Sequence, residues 1–177
     1  HVINEWITHH KKEGVDHFYL IDNGSTDNYE ETIPKDPNLI TIVKDTSKFS
    51  QPRLYNELYL EKARQESNWI MVIDLDEFVY SRNEFKTITE YLDSVPKDIT
   101  SIILRWKMFG SNGKVEQPDS VIKGFTKRFD NDKKVEGSFN YYKTIARSDS
   151  IKSLALHSFD MKNGKTIHLP SFGQKNM

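Results

Sequence analysis

The stretch from Trp69 to Glu77 constrains this chain more than any other. Five apolar residues, Trp69-Ile70-Met71-Val72-Ile73, run straight into Asp74-Leu75-Asp76-Glu77. A short apolar run with aromatic and β-branched character reads as a strand. Its lack of alternation reads as burial on both faces, which predicts a central position in a sheet. In open α/β sheets, ligands bind beyond the carboxyl ends of strands. Three carboxylates packed at such an end repel one another without a cation. The chain contains no cysteine, so a metal would find only oxygen and imidazole ligands. That set suits a hard divalent ion, Mn²⁺ or Mg²⁺. Such an ion bridges to phosphate oxygens and stabilises a departing diphosphate as a Lewis acid. Asp-x-Asp is a short motif, however, and a strand end with solvated acids is the competing reading.

The rest of the chain supplies a frame for that strand. Val2, Ile3, Trp6 and Ile7 show helical spacing, and a helix is expected to run to about Lys12 with Gly14 as its stop. Residues 16–22 read as a buried strand, 39–43 as a second, and 101–107 as a fourth after 69–73. Between them, residues 52–65 carry an i, i+4 apolar pattern with Pro52 in the first turn. Ile88, Tyr91, Leu92 and Val95 mark another helix, closed by Pro96. Alternating helix and strand predicts an α/β fold with a mostly parallel central sheet. Beyond residue 107 the pattern changes to short strand-like runs at 122–129, 141–146, 151–158 and 166–169. A chain of 177 residues without linker or repeat suits one domain. The expected division is into two unequal halves, 1–107 and 108–177.

A second polar motif, Asp22-Asn23-Gly24-Ser25-Thr26-Asp27, follows the first strand. It offers backbone N–H groups and side-chain acceptors at the sheet edge, suited to a nucleotide base or ribose. The plainer reading is a capped turn, with Ser25 or Asp27 as N-cap. The formal net charge of −1 gives no chain-wide basic surface, so nucleic acid is not an expected partner. No apolar run approaches the roughly 18 residues of a bilayer span. The absence of cysteine favours a reducing compartment. A cytoplasmic location is therefore expected, with membrane-peripheral attachment left to any upstream targeting segment.

Taken in order, these residues resemble a known group. Glu5-Trp6, His10, Gly14-Val15-Asp16-His17-Phe18, Asp22-Asn23 with Ser25 and Asp27, Trp69-Ile70 with Ile73 to Phe78, and Phe109-Gly110-Ser111-Asn112-Gly113 are similar to the family 2-like and family 92-like glycosyltransferases. The resemblance extends over most of the chain. It implies a GT-A (Rossmann-like) fold, a nucleotide-sugar donor, usually a UDP-sugar, a glycan or other hydroxyl acceptor, and Mn²⁺ or Mg²⁺ at the Asp-x-Asp. It also implies that Asp22 reads the nucleotide base, that Asp74 contacts ribose or the metal through water, and that Asp76 ligates the metal directly. A late histidine often completes such a site, and His157 matches it, with His168 as rival. The first strand of the family has no counterpart here. The helix at Val2 begins without a Ser, Thr, Asp or Asn cap, so a strand ahead of His1 is expected.

Other candidates come from residue chemistry. The segment 106–114 (WKMFGSNGK) joins an aromatic ring to glycines and small polar groups. That mixture suits a sugar, donor or acceptor, and suits a plain turn equally. Trp106 and Lys143 join Asp22, Asn23, Asp27 and Asp74 as donor-binding candidates. Lys143 and Arg147 are cations that would neutralise diphosphate or simply face solvent. An inverting enzyme needs a carboxylate base, for which Asp119, Asp130, Asp132 and Glu136 are the candidates. His9, His10 and His17 read as packing or surface groups. Two further functions stay in view. A sugar nucleotidyltransferase also sets acids at strand ends, but would carry a glycine-rich basic loop after its first strand. A non-catalytic glycosyltransferase-like module is the other.

Overall fold

The computed structural model describes residues 2–48, 51–82, 84–128 and 141–169. In chain order these form α1 (Val2–Lys12), β1 (Phe18–Asp22), α2 (Tyr29–Thr32), β2 (Ile40–Lys44) and α3 (Gln51–Leu54). A π-helical turn (Tyr55–Leu60) and α4 (Glu61–Glu66) follow, then β3 (Trp69–Met71), α5 (Ile88–Ser94), β4 (Ile99–Arg105) and α6 (Val121–Gly124). The chain ends with β5 (Tyr142–Arg147), β6 (Ile151–Ser153), β7 (Asp160–Met161) and β8 (Lys165–His168). They group into two compact units that interleave along the chain. One holds His1–Leu54 with Asp74–Pro96, the other Tyr55–Ile73 with Lys97–Met177.

In the first unit, β1 and β2 pair in parallel from Phe18↔Ile40 to Asp22↔Lys44. The apolar stripe of α1 buries Trp6, Ile7 and His10, and the Trp6 ring lies 5.4 Å from that of Phe18. Gly14 ends this helix at φ +94°, and a Cβ there would fall 2.2 Å from Thr89 Oγ1. Both facts favour glycine: the left-handed backbone, and a close approach that lets Thr89 donate to the Gly14 carbonyl at 2.7 Å. Thr87 caps α5 by accepting the Glu90 N–H, and Ile88, Leu92 and Val95 are buried, as their spacing predicts.

The second unit corrects the expected sheet. Its four strands run in the order β3-β5-β4-β8. β5 is antiparallel to both β3 and β4, and only β4 and β8 are parallel. The sheet is mixed rather than mostly parallel. β3 is short, half-buried and at an edge, not central. The apolar run predicted its strand character, but its partner, β5, lies some seventy residues away, beyond any local pattern. In place of the strand expected at 122–129, the described residues to 128 hold the short helix α6 and a bridge at Arg128. The run 151–158 is strand only to Ser153, where β6 pairs with β7. Residues 52–65 are helical as expected, but a π-helical turn interrupts them. In that turn the Asn56 amide pairs with both backbone groups of Leu154, at 2.9 and 2.8 Å. The pairing ties the turn to a core of Leu60, Ala146, Ile151 and Leu154, with Ile70, Val72 and Phe159 packed against it. Each fully buried aliphatic side chain of this kind stabilises by about 1.5–3 kcal/mol.

Candidate active site

The acidic motif after β3 is a tight turn in the first unit. The Glu77 N–H donates to the Asp74 carbonyl at 3.1 Å, and the Asp74 N–H donates to Glu77 Oε2 at 2.8 Å. The two bonds close the turn from both sides. One Glu77 oxygen is thus committed to its own backbone, so the motif is two acids and a clip rather than three equivalent carboxylates. Asp74 is half-buried, while Leu75 and Asp76 are exposed at the tip.

α1 fixes this turn from one side. Trp6 Nε1–H donates to the Asp74 carbonyl at 3.1 Å. His9 Nε2–H donates to the Val79 carbonyl at 2.8 Å. His10 Nδ1–H donates to the Trp6 carbonyl at 2.9 Å, and His10 Nε2 accepts the Val79 N–H at 3.2 Å. Those partners set the tautomer, since a carbonyl can only accept and an amide N–H can only donate. Glu13 Oε2 accepts from the Ser81 and Ile88 N–H groups, at 3.0 and 3.3 Å. Phe78 stacks on His10 and meets His9 edge-on. Burial pushes the His10 imidazole down to about 4; His9 adds to the effect and the Trp6 carbonyl opposes it. His10 is therefore a neutral packing residue, as the sequence suggested, and its packing partner is the acidic loop.

The Asp22 loop is similarly self-bonded. Asp22 is buried, accepting from the Ser25 N–H at 2.7 Å and from the Tyr29 hydroxyl at 3.1 Å. The Ser25 N–H, foremost, holds the Asp22 carboxyl below its ordinary range. Tyr29 is raised to about 12, chiefly by burial and then by its bond to Asp22. Asn23 Nδ2–H donates to the carbonyls of Asp45 and Ser47, joining this loop to the one after β2. Asp27 is exposed. The N-cap of α2 is Asn28 rather than Ser25 or Asp27, and it caps without a side-chain bond.

Trp106, Lys143 and His157 come together in the second unit. Trp106 and Tyr141 follow and precede the pair Arg105↔Tyr142, and the Trp106 N–H donates to the Tyr141 carbonyl at 3.1 Å. Their rings lie 5.0 Å apart, and the His157 ring meets Trp106 edge-on at 5.5 Å. Lys143 is buried rather than solvated, and Nζ donates to the Leu156 carbonyl at 2.8 Å. Arg147 lies at the other end of β5, about 13 Å along at strand rise. Its guanidinium sits 4.3 Å from the Trp69 ring centroid, and Nε–H donates to the Ile99 carbonyl. Lys143 and Arg147 therefore do not converge. His157 stands in a bend past the end of β6, and its rival His168 closes β8; both are exposed. Tyr141 was missed by sequence reasoning, because only the β4–β5 register sets it beside Trp106.

Of the base candidates, Asp119 is exposed just ahead of α6. Asp130, Asp132 and Glu136 lie outside the described residues. Asp74 and Asp76 bring carboxylate oxygens, the donors that Mn²⁺ or Mg²⁺ takes, and Mg²⁺ commonly binds through one or two carboxylates plus substrate phosphate. The donor chemistry of the turn fits such an ion. Within this unit, among the described residues, no group of three His, Asp or Glu is placed to hold one. No helix among the described residues is long and apolar enough to cross a membrane.

Comparison with known proteins decides between the related families. The family model described as glycosyltransferase family 92 matches residues 60–174, more than half the chain and including the acidic turn. The chain belongs to glycosyltransferase family 92. A family 92 protein of Oryza sativa subsp. japonica is 26% identical over 171 residues, covering 92% of this chain and 28% of its own length. Family 92 proteins of Ricinus communis and Arabidopsis thaliana are 26% and 27% identical, each over 92% of this chain. This family 92 chain thus spans about three tenths of the curated relatives it matches. No solved structure matches it.

Proposed function

We propose that this chain forms the core of a glycosyltransferase that moves a sugar from a nucleotide-sugar, foremost a UDP-sugar, to a hydroxyl of a glycan or other acceptor. The observation that carries the reading is the Asp74–Glu77 turn in a family 92 chain: two acids on a backbone fixed by its own clip and by α1. Asp74 and Asp76 would hold Mn²⁺ or Mg²⁺. Such an ion, when bound, supplies positive charge to the departing diphosphate. Asp22, Asn23 and Asp27 are the proposed contacts to the nucleotide, with Asp22 nearest the base. A GT-A organisation belongs to the same proposal.

The chain's own residues do the positioning. The bonds from Trp6 and Glu77 hold the Asp74 backbone, so the two carboxylates need little reorganisation when charge develops. In an inverting reaction the acceptor's proton passes to a carboxylate, and Asp119, Asp130, Asp132 and Glu136 are the candidates. The test is turnover of a panel of UDP-, GDP- and CMP-sugars by the full chain, with and without Mn²⁺. Mn²⁺-dependent transfer or hydrolysis of one donor class is expected. Absence of turnover with every donor, with nucleotide binding intact, would leave a binding module. Release of pyrophosphate from a nucleoside triphosphate and a sugar phosphate would make it a nucleotidyltransferase.

A further inference from the structure

The sheet end where β4 leaves and β5 begins carries a ring cluster that the reaction above does not explain. We propose that Tyr141, Trp106 and His157 form a stacking platform for a neutral pyranose, the acceptor sugar of that reaction. The word acceptor rests on the function proposed above; the binding itself does not.

The cluster is built rather than incidental. The ladder pair Arg105↔Tyr142 places Trp106 and Tyr141 side by side one step beyond its end. Their rings are tilted by 36° at 5.0 Å, and His157 lies 6.5 Å from Tyr141. Two buried polar side chains on β5 anchor the histidine segment. Lys143 donates to the Leu156 carbonyl at 2.8 Å, and Thr144 Oγ1–H donates to the His157 carbonyl at 2.9 Å. Lys143 and Thr144 are only 2% and 4% exposed, so the backbone that presents the imidazole is fixed from inside.

Exposure and chemistry then point to the ligand. Tyr141 keeps 43% of its surface in water, and the His157 residue is also exposed. A pyranose offers a face of C–H groups, which suits the electron-rich face of an aromatic ring, and hydroxyls at its rim. Phenol and imidazole edges supply donors and acceptors for such hydroxyls. The ammonium of Lys143 is turned inward, 5.8 Å from the Trp106 centroid, so among the described residues the cluster presents rings rather than charge. A neutral sugar fits that surface better than a nucleotide diphosphate does.

Saturation-transfer NMR on the full chain, without nucleotide or added metal, tests this directly. The probes are methyl β-glucopyranoside, methyl β-galactopyranoside and N-acetylglucosamine at millimolar concentration, with UMP as competitor. At least one sugar is expected to take up saturation at its ring C–H protons, unaffected by UMP. Tyr141→Ala should weaken its binding by roughly five- to tenfold, and Tyr141→Phe should keep it within about twofold. Tyr141→Leu retains apolar bulk without a ring, and should lose binding while keeping the wild-type circular dichroism. No saturation of any sugar, wild-type affinity in the Ala or Leu variant, or displacement by UMP each overturns the platform. Sugar binding without transfer from any donor refutes the reaction and leaves the platform standing. Transfer with an acceptor KM that ignores Tyr141 does the reverse.

Discussion

The acidic turn of the first unit and the ring cluster of the second solve different problems. In the acidic turn and in the Asp22 loop of the same unit, the potential ligands are charged, and the fold divides them by hydrogen bonding. Glu77 and Asp22 are committed to neighbouring N–H groups, while Asp76 and Asp27 stand exposed. At the ring cluster the charged group is the one buried, and the aromatic Tyr141 is exposed. An acid in a motif is therefore a site candidate only once its own loop has been satisfied. A buried lysine beside a motif can be a support rather than a ligand.

Three changes sharpen this contrast. The largest effect is expected for Asp76→Asn. Removing the carboxylate proposed to bind metal at the turn tip should lower Mn²⁺-dependent turnover about a hundredfold or more, with thermal unfolding within a degree or two of wild type. Wild-type turnover at limiting Mn²⁺ would remove Asp76 from the site.

The next effect concerns stability and pH. In the unfolded chain His10 titrates near 6.5, and in the folded chain burial lowers it to about 4. Between those values the unfolded chain binds the extra proton, so stability falls as pH drops from 6.5 towards 4 and is unaffected above that window. The loss is on the order of 3 kcal/mol by pH 4. His10→Asn does not titrate, and its denaturant midpoint should lack this slope relative to wild type. An unchanged slope would show that another group carries the pH dependence.

The smallest effect is expected for Asp22→Ala. Losing the bonds from Ser25 and Tyr29 should cost about 1–2 kcal/mol of stability and weaken UDP binding, measured calorimetrically, by more than the fold is weakened. Equal UDP affinity in mutant and wild type would make Asp22 a turn clasp alone.

Where local chemistry decided the structure, the sequence was legible. The helix from Val2 to Lys12, its stop at Gly14, the strand ending at Asp22 and the helix ending ahead of Val95 all follow from periodicity and end signals. The acidic turn also lies where the motif placed it. Pairing over long separations was not legible. Ile70↔Ala146 sets β3 at an edge, and Arg105↔Tyr142 brings Tyr141 to Trp106. Neither register is written in the residues of one strand. Nor does a row of acids reveal that Glu77 folds back onto the Asp74 N–H, because that depends on the turn geometry.

On the proposed reading, the turn contains two acids for the metal and one clip. Turnover titrated with Mn²⁺ in Asp76→Asn and Glu77→Gln, side by side, tests it most directly. Asp76→Asn should lose the Mn²⁺ response with its fold intact. Glu77→Gln should keep the wild-type Mn²⁺ midpoint while losing about 1–2 kcal/mol of stability through its weakened bond to the Asp74 N–H. A Glu77→Gln chain of full stability that needs far more Mn²⁺, beside an Asp76→Asn chain that titrates like wild type, would contradict the account.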